Sequence, residues 1–106
     1  MMHITAAELK KWKEEKQPHM LVDIREAYEI VQCNIGGQCY PMETILESCL
    51  TFPTEMPIVL HCNSGKRSDA ATYAIRQHTQ RTDIFSLEGG IQAYASQFEP
   101  EMSCAS

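Results

Sequence analysis

No apolar run in this chain approaches the roughly 18 to 20 residues of a membrane-spanning helix, and the N-terminus lacks the apolar stretch of a secretion signal. Positive charge is also scarce. Nine Lys and Arg against 14 Asp and Glu leave a net charge of −5, which argues against a nucleic-acid surface and against an anionic membrane. Cys33, Cys39, Cys49, Cys62 and Cys104 are odd in number and irregular in spacing. A disulfide framework of the secreted type is therefore not expected, and the thiols are expected to be reduced. There is neither a C-x2-C pair nor an H-x3-H pair, so Cys33, Cys39, His61 and His3 are not assigned as a metal site. A soluble cytoplasmic protein is the expectation.

With 106 residues, 43% of them hydrophobic, the chain is long enough for one domain with its own core and too short for two. Residues 1–106 read as a single domain with its core at about 4–98 and a loose C-terminal tail. What it does contain is a block centred on Cys62. Pro57-Ile58-Val59-Leu60-His61-Cys62 is a short apolar run, the pattern of a strand buried on both faces, with Cys62 at its carboxyl end. After the loop Asn63-Ser64-Gly65-Lys66, a helix is expected from Arg67 to about Gln77, with Ala70, Ala71, Ala74, Ile75 and His78 on one face. Ser68 and Asp69 would serve as its cap and dipole partners.

Strand, tight loop and helix place Cys62 where ligands bind in open α/β sheets. Successive N–H groups in such a loop form a concavity for anions, and Lys66 and Arg67 add positive charge, which favours a thiolate nucleophile at Cys62. A lone cysteine here would read as a buried strand-end residue. The sequence Asn63-Ser64-Gly65-Lys66-Arg67-Ser68 turns the reading toward a reactive one.

In chain order, His3-Ile4 is a short edge strand and Thr5 with Glu8 forms a capping box for a helix to about Lys16, Leu9, Trp12 and Lys13 inward. His19 in the following turn is assigned no role. Met20 to Arg25 is a second apolar strand ending in Asp23, Arg25 and Glu26. Asp23 either caps the next helix, through Tyr28, Ile30 and Val31, or helps hold the Cys62 loop through Arg67 or loop N–H groups. Asn34-Ile35-Gly36-Gly37 is a turn, 38–40 is extended before Pro41, and 42–50 is a short helix with Ile45, Leu46 and Cys49 inward. Asp83 to Leu87 is a fifth strand. The pair Gly89-Gly90 then allows close backbone approach or positive φ ahead of a helix from Ile91 to about Phe98. Strands alternating with helices at this spacing give an α/β fold, a central parallel five-stranded sheet with helices on both faces. His61 is read as structural, pointing into the core side of its strand by strand alternation.

Four stretches, Leu21 to Glu26, Asn34 to Gly37, Cys62 to Ser68 and Leu87 to Tyr94, together resemble the rhodanese (sulfurtransferase) family over residues 4 to 98. The cysteine loop is the most specific of them. The resemblance implies a rhodanese-like fold, a Cys62 persulfide, and an outer sulfur surrounded by the loop amides and Lys66, with Asn63, Ser64, Gly65, Lys66 and Arg67 as the substrate-binding residues. It further implies that Arg67 and Asp23 help hold the loop, with Arg25 and Ser68 as further loop support. The implied donor is thiosulfate or a persulfide, the acceptor a thiol, cyanide or a sulfur-carrier protein. Neither metal nor organic cofactor is called for, and neither nucleic acid nor membrane is a partner. Two features depart from the family pattern: Tyr94 stands where tryptophan is frequent, and Asn34-Ile35-Gly36-Gly37-Gln38 replaces a frequent His-Ile-x-Gly-Ala. The alternatives are a cysteine phosphatase or arsenate reductase, which the Cys62 to Ser68 pattern also suggests, and a non-catalytic sulfur-relay binding module.

Overall fold

The structure, a computed structural model, describes residues 2–100. Cys104 and the tail expected beyond residue 100 lie outside the described residues. The elements are β1 (His3–Ile4), α1 (Ala6–Glu14), β2 (Met20–Asp23), α2 (Ala27–Gln32), β3 (Gln38–Cys39), α3 (Ile45–Ser48), β4 (Ile58–His61), α4 (Lys66–Thr79), β5 (Ile84–Leu87) and α5 (Gly90–Phe98). Turns of 3-10 helix, Met42–Thr44 and Cys49–Thr51, flank α3. The expected capping box is present, with Glu8 N–H donating to Thr5 Oγ1 and Thr5 N–H to Glu8 Oε1.

All strand pairs are parallel, in the order β1-β5-β4-β2-β3. Successive side chains of a strand point to opposite faces, and β4 is buried along its whole length. Ile58, Leu60 and Cys62 therefore join Val22, Ile24, Ile45, Ala71 and Ile75 in the core under α3 and α4. Val59 faces the other way, with Leu9, Leu21, Leu87, Ile91 and Tyr94 under α1 and α5. This is the expected five-stranded α/β sheet covered on both faces. Tyr94 is 2% exposed, packs against Phe98 and lies under the Lys13 ammonium, so its place in the family pattern is filled as core. No helix among the described residues is long and apolar enough to cross a membrane.

Two expectations fail locally. The buried face of α4 is Ser68, Ala71, Thr72 and Ile75, whereas Ala70 and His78 are exposed. Small, weakly apolar alanines do not mark a face by themselves, and the buried hydroxyls of Ser68 and Thr72 hid the true stripe. Leu46, expected inward, is 40% exposed, because 3-10 turns on either side of the four-residue α3 leave room for one inward column only. Neighbouring residues should thus differ sharply. Ile45→Ala is expected to cost about 2–5 kcal/mol in urea denaturation and Leu46→Ala less than about 1 kcal/mol; equal losses would place Leu46 in the core after all.

Candidate active site

β4 ends at His61 and α4 begins at Lys66, so the chain crosses the carboxyl edge of the sheet in a loop tight enough to wrap one atom. Cys62 is 1% exposed. Its sulfur accepts hydrogen bonds from the backbone N–H of Gly65 at 3.1 Å and of Ser68 at 3.4 Å, and Ser68 Oγ lies 3.6 Å away. Gly65, at φ +105, makes the turn into α4 in a conformation that L side chains rarely adopt. It is also the helix cap, so Ser68 is not the cap expected from the sequence. Ser68 sits one turn inside, its hydroxyl directed into the core.

The loop carbonyls point the other way. Ile91 N–H donates to the Cys62 carbonyl at 2.9 Å and Gln92 N–H to the Asn63 carbonyl at 3.1 Å, both from the first turn of α5, whose N–H groups have no partner inside the helix. That docking needs Gly90. A Cβ at this position would stand 2.4 Å from the Asn63 carbonyl oxygen, and its φ is +62. The paired glycines noted in the sequence are thus the rear support of the cysteine loop.

Of the other expected loop residues, Ser64 and Lys66 are exposed at the tip and Asn63 is half-buried. Arg67 does not reach Asp23. It forms a two-pronged ion pair with Glu29 of α2 at 2.9 and 3.1 Å, which holds the Glu29 carboxyl below its ordinary range and raises the Arg67 guanidinium. Asp23 pairs instead with Arg25, through Nε at 3.0 Å and Nη2 at 2.8 Å, and accepts from the Arg25 N–H at 3.0 Å. Both are almost fully buried. Arg25 goes on to the carbonyls of Cys33 at 2.7 Å and Glu29 at 3.5 Å. Among the described residues, Asp23 and Arg25 make no direct hydrogen bond to residues 62–67 and reach Arg67 through α2, by way of Glu29. Sequence reasoning missed Glu29, because nothing in the sequence singles it out from Glu26, the cap that precedes this short helix. Ser86 was missed too, although a hydroxyl within the apolar strand Ile84-Phe85-Ser86-Leu87 requires a buried partner and was a usable signal.

His61 is fully buried and paired in register with Asp23, on the face opposite Cys62. Neither ring nitrogen has a hydrogen-bond partner, and Nε2 lies 3.6 Å from Asp23 Oδ2. Burial pulls its pKa down to about 4, more than the Asp23 carboxylate raises it. A neutral imidazole facing away from the sulfur is no base for Cys62, in line with the structural reading. Cys49 is buried, with Sγ 3.2 Å from the Leu46 carbonyl, and burial pushes its thiol up. Cys39, Cys49 and Cys62 are free. Cys33 is disulfide-bonded, a departure from the expectation of reduced thiols throughout. No group of three or more His, Cys, Asp or Glu able to hold a metal ion occurs among the described residues. A surface hollow of about 700 Å³ lined by Lys13, His19, Met20, Tyr40 and Met56 includes no residue of the cysteine loop and is no part of this site.

Gly90→Ala should displace the loop, lowering Cys62 alkylation by iodoacetamide at least about tenfold. Gly36→Ala, at φ +92 with nothing within 4 Å, bears backbone strain without that clash and should leave alkylation unchanged. For His61, the unfolded chain takes up a proton near pH 6.5 and the folded one only near 4. Its contribution to stability is thus intact above pH 6.5 and is lost as pH falls toward 4, by on the order of 3 kcal/mol. Urea titrations of wild type and His61→Leu at pH 7 and pH 4.5 check this; a stability difference between the two proteins that does not change with pH would refute it.

A family model described as the rhodanese-like domain matches residues 5–97. The chain is 34% identical over 103 residues to the probable adenylyltransferase/sulfurtransferase MoeZ of Mycobacterium tuberculosis, covering 93% of this chain and 26% of that protein. It is 27% identical over 96 residues to the adenylyltransferase and sulfurtransferase MOCS3 of Drosophila ananassae, covering 83% and 21%. The chain thus spans about a quarter of the length of these curated relatives. A crystal structure of a rhodanese-like domain protein from Staphylococcus aureus superposes with a TM-score of 0.78 at 28% identity, over 89% of this chain and 91% of that one. With the match running from the cap of α1 into the last turn of α5 and a cysteine loop at the carboxyl edge of the parallel sheet, the chain belongs to the rhodanese-like domain family.

Proposed function

We propose that this protein is a sulfurtransferase that carries a sulfane sulfur on Cys62. The observation that carries the reading is a buried sulfur accepting two backbone N–H groups from its own loop, the arrangement that stabilises an anionic sulfur without a histidine base. The names of the relatives, which include sulfurtransferase, support it. In the first half-reaction the Cys62 thiolate attacks the outer sulfur of thiosulfate or of a donor persulfide. A sulfur–sulfur bond forms to Cys62, the donor's own sulfur–sulfur bond breaks, and its electron pair leaves with sulfite or the donor thiolate. In the second, an acceptor thiolate, cyanide or the reactive end of a sulfur-carrier protein takes that outer sulfur, and the electron pair returns to Cys62. Asn63, Ser64 and Gly65 present loop groups to the outer sulfur. Lys66, exposed at the loop tip, supplies charge where an anionic donor enters and sulfite departs.

The phosphatase alternative fits the same site less well. Only Asn63, Ser64, Gly65 and Lys66 separate Cys62 from Arg67, one residue fewer than in a phosphatase-type loop, so the ring of amides suits one sulfur atom better than three phosphoryl oxygens. The guanidinium that would clamp a phosphoryl group is also already paired with Glu29. Intact mass after incubation with thiosulfate is expected to rise by one sulfur atom in wild type, reversibly on adding a thiol, and not at all in Cys62→Ser, while p-nitrophenyl phosphate is not hydrolysed. Cys62-dependent phosphate release with no sulfur gain would overturn the proposal. Failure to gain sulfur from thiosulfate or from any small persulfide would leave only a binding module.

A further inference from the structure

A line of side chains runs from the buried sulfur to the surface. Ser86 is fully buried, and its hydroxyl donates to Asp69 Oδ1 at 2.6 Å. A hydroxyl has one proton to give, so Ser86 Oγ meets Ser68 Oγ, 2.8 Å away, as an acceptor. The Ser68 proton accordingly goes to Ser86, with the Gly65 carbonyl at 3.2 Å as its other acceptor. Neither leaves it for Cys62. At 3.6 Å from Ser68 Oγ, the sulfur is the one group on the line that has to supply a proton of its own. At the far end, His3 Nε2 lies 3.1 Å from the same Asp69 oxygen, and both side chains are close to half exposed.

We infer that Asp69, acting through Ser86, is a positioning residue that turns a lone pair of Ser68 toward Cys62, holds the resting sulfur as a thiol, and releases it when Asp69 takes up a proton. The inference rests on Cys62 being the nucleophile of the proposed transfer. In the release step the Cys62 S–H bond breaks and its electron pair stays on sulfur. The proton passes to Ser68 Oγ, the Ser68 proton passes to Ser86, and the Ser86 proton passes to Asp69 Oδ1. One proton has then moved from sulfur to carboxylate, and every hydroxyl points the other way, with Ser68 donating to the thiolate. Besides Asp69 and His3, the charged groups facing this line are Lys66 and Arg67 of α4, the latter paired with Glu29. Glu88 is exposed beyond β5, the first turn of α5 carries no charge, and His61 lies on the other face of the sheet.

Ser86→Ala removes the nearer acceptor of the Ser68 proton, leaving the Gly65 carbonyl at 3.2 Å to compete with the sulfur for it, and leaves every charge in place. Iodoacetamide alkylation of Cys62, followed by peptide mass spectrometry from pH 4 to 10, reads the effect without any sulfur donor. A failure here therefore leaves sulfur transfer standing, and a failure of sulfur transfer leaves this measurement valid. On the acid limb of the profile the variant should react about three- to tenfold faster than wild type, the worth of one hydrogen bond, and the two should converge at alkaline pH. Ser86→Thr should restore the wild-type profile, and Ser86→Ala should change nothing in a Ser68→Ala background. An unchanged or slower acid limb overturns the inference, as does an equal acceleration without Ser68. Should Ser86→Ala not fold, Asp69→Asn, at a half-exposed site, replaces it; its acceleration must then be larger with Ser68 present than absent, and an equal one overturns the inference.

Discussion

The first turn of α5 donates the N–H groups of Ile91 and Gln92 to the carbonyls of Cys62 and Asn63, and the rest of the site follows from that docking. A peptide unit whose carbonyl is held on one side presents its amide on the other, so this docking turns the N–H groups of Asn63 and Ser64 away from α5. The sulfur itself is held further along the same loop, by the N–H groups of Gly65 and Ser68. α5 itself is held by Ile91, Tyr94 and Ala95 in the core; the cysteine loop is therefore as rigid as the hydrophobic face beneath a different helix. Gly90 makes this possible by having no side chain where the Asn63 oxygen must sit.

A second layer of support is ionic and mostly hidden. Asp23 and Arg25 form a buried pair whose remaining donors are taken up by main-chain carbonyls of α2 and of Cys33. A buried pair satisfied in this way costs little once formed and a great deal to break. Its effect is to fix α2, which buries no residue of its own, in the place from which Glu29 reaches Arg67. The two sides of the cysteine loop are thus anchored by different physics: backbone hydrogen bonds from α5 on one side, and a relay of charges through α2 on the other.

Much of this was legible in the residues. The apolar run Ile58 to Leu60 followed by Cys62, the glycine turn and the basic helix start specify strand, loop and helix locally, and the structure keeps that order. Thr5 with Glu8 announced the first helix, and Gly89-Gly90 announced a close approach. What escaped were pairings between residues distant in sequence. Arg67 could have met Asp23 as readily as Glu29 from charge alone, and the choice was made by Arg25, which neutralises Asp23 first and leaves it no need of another cation. The inward face of α4 was misjudged for a related reason. Ser68 and Thr72 are polar by composition but buried by their neighbours, and a periodicity argument counts them on the wrong side.

The two outer strands of the sheet, β1 and β3, are each two residues long. A parallel sheet exposes unpaired N–H and C=O groups along its margins, and a long margin is a template on which a strand from another chain can align. Margins this short offer an intruding strand hardly any backbone partners, too few to repay the ordering of a flexible segment. The four-residue strands β2, β4 and β5 each lie between two neighbours, β3 covering Val22 and Asp23 of β2 and β1 covering Ser86 and Leu87 of β5. The fold thus keeps its outermost strands short, and that truncation limits the edge-to-edge pairing another chain could make.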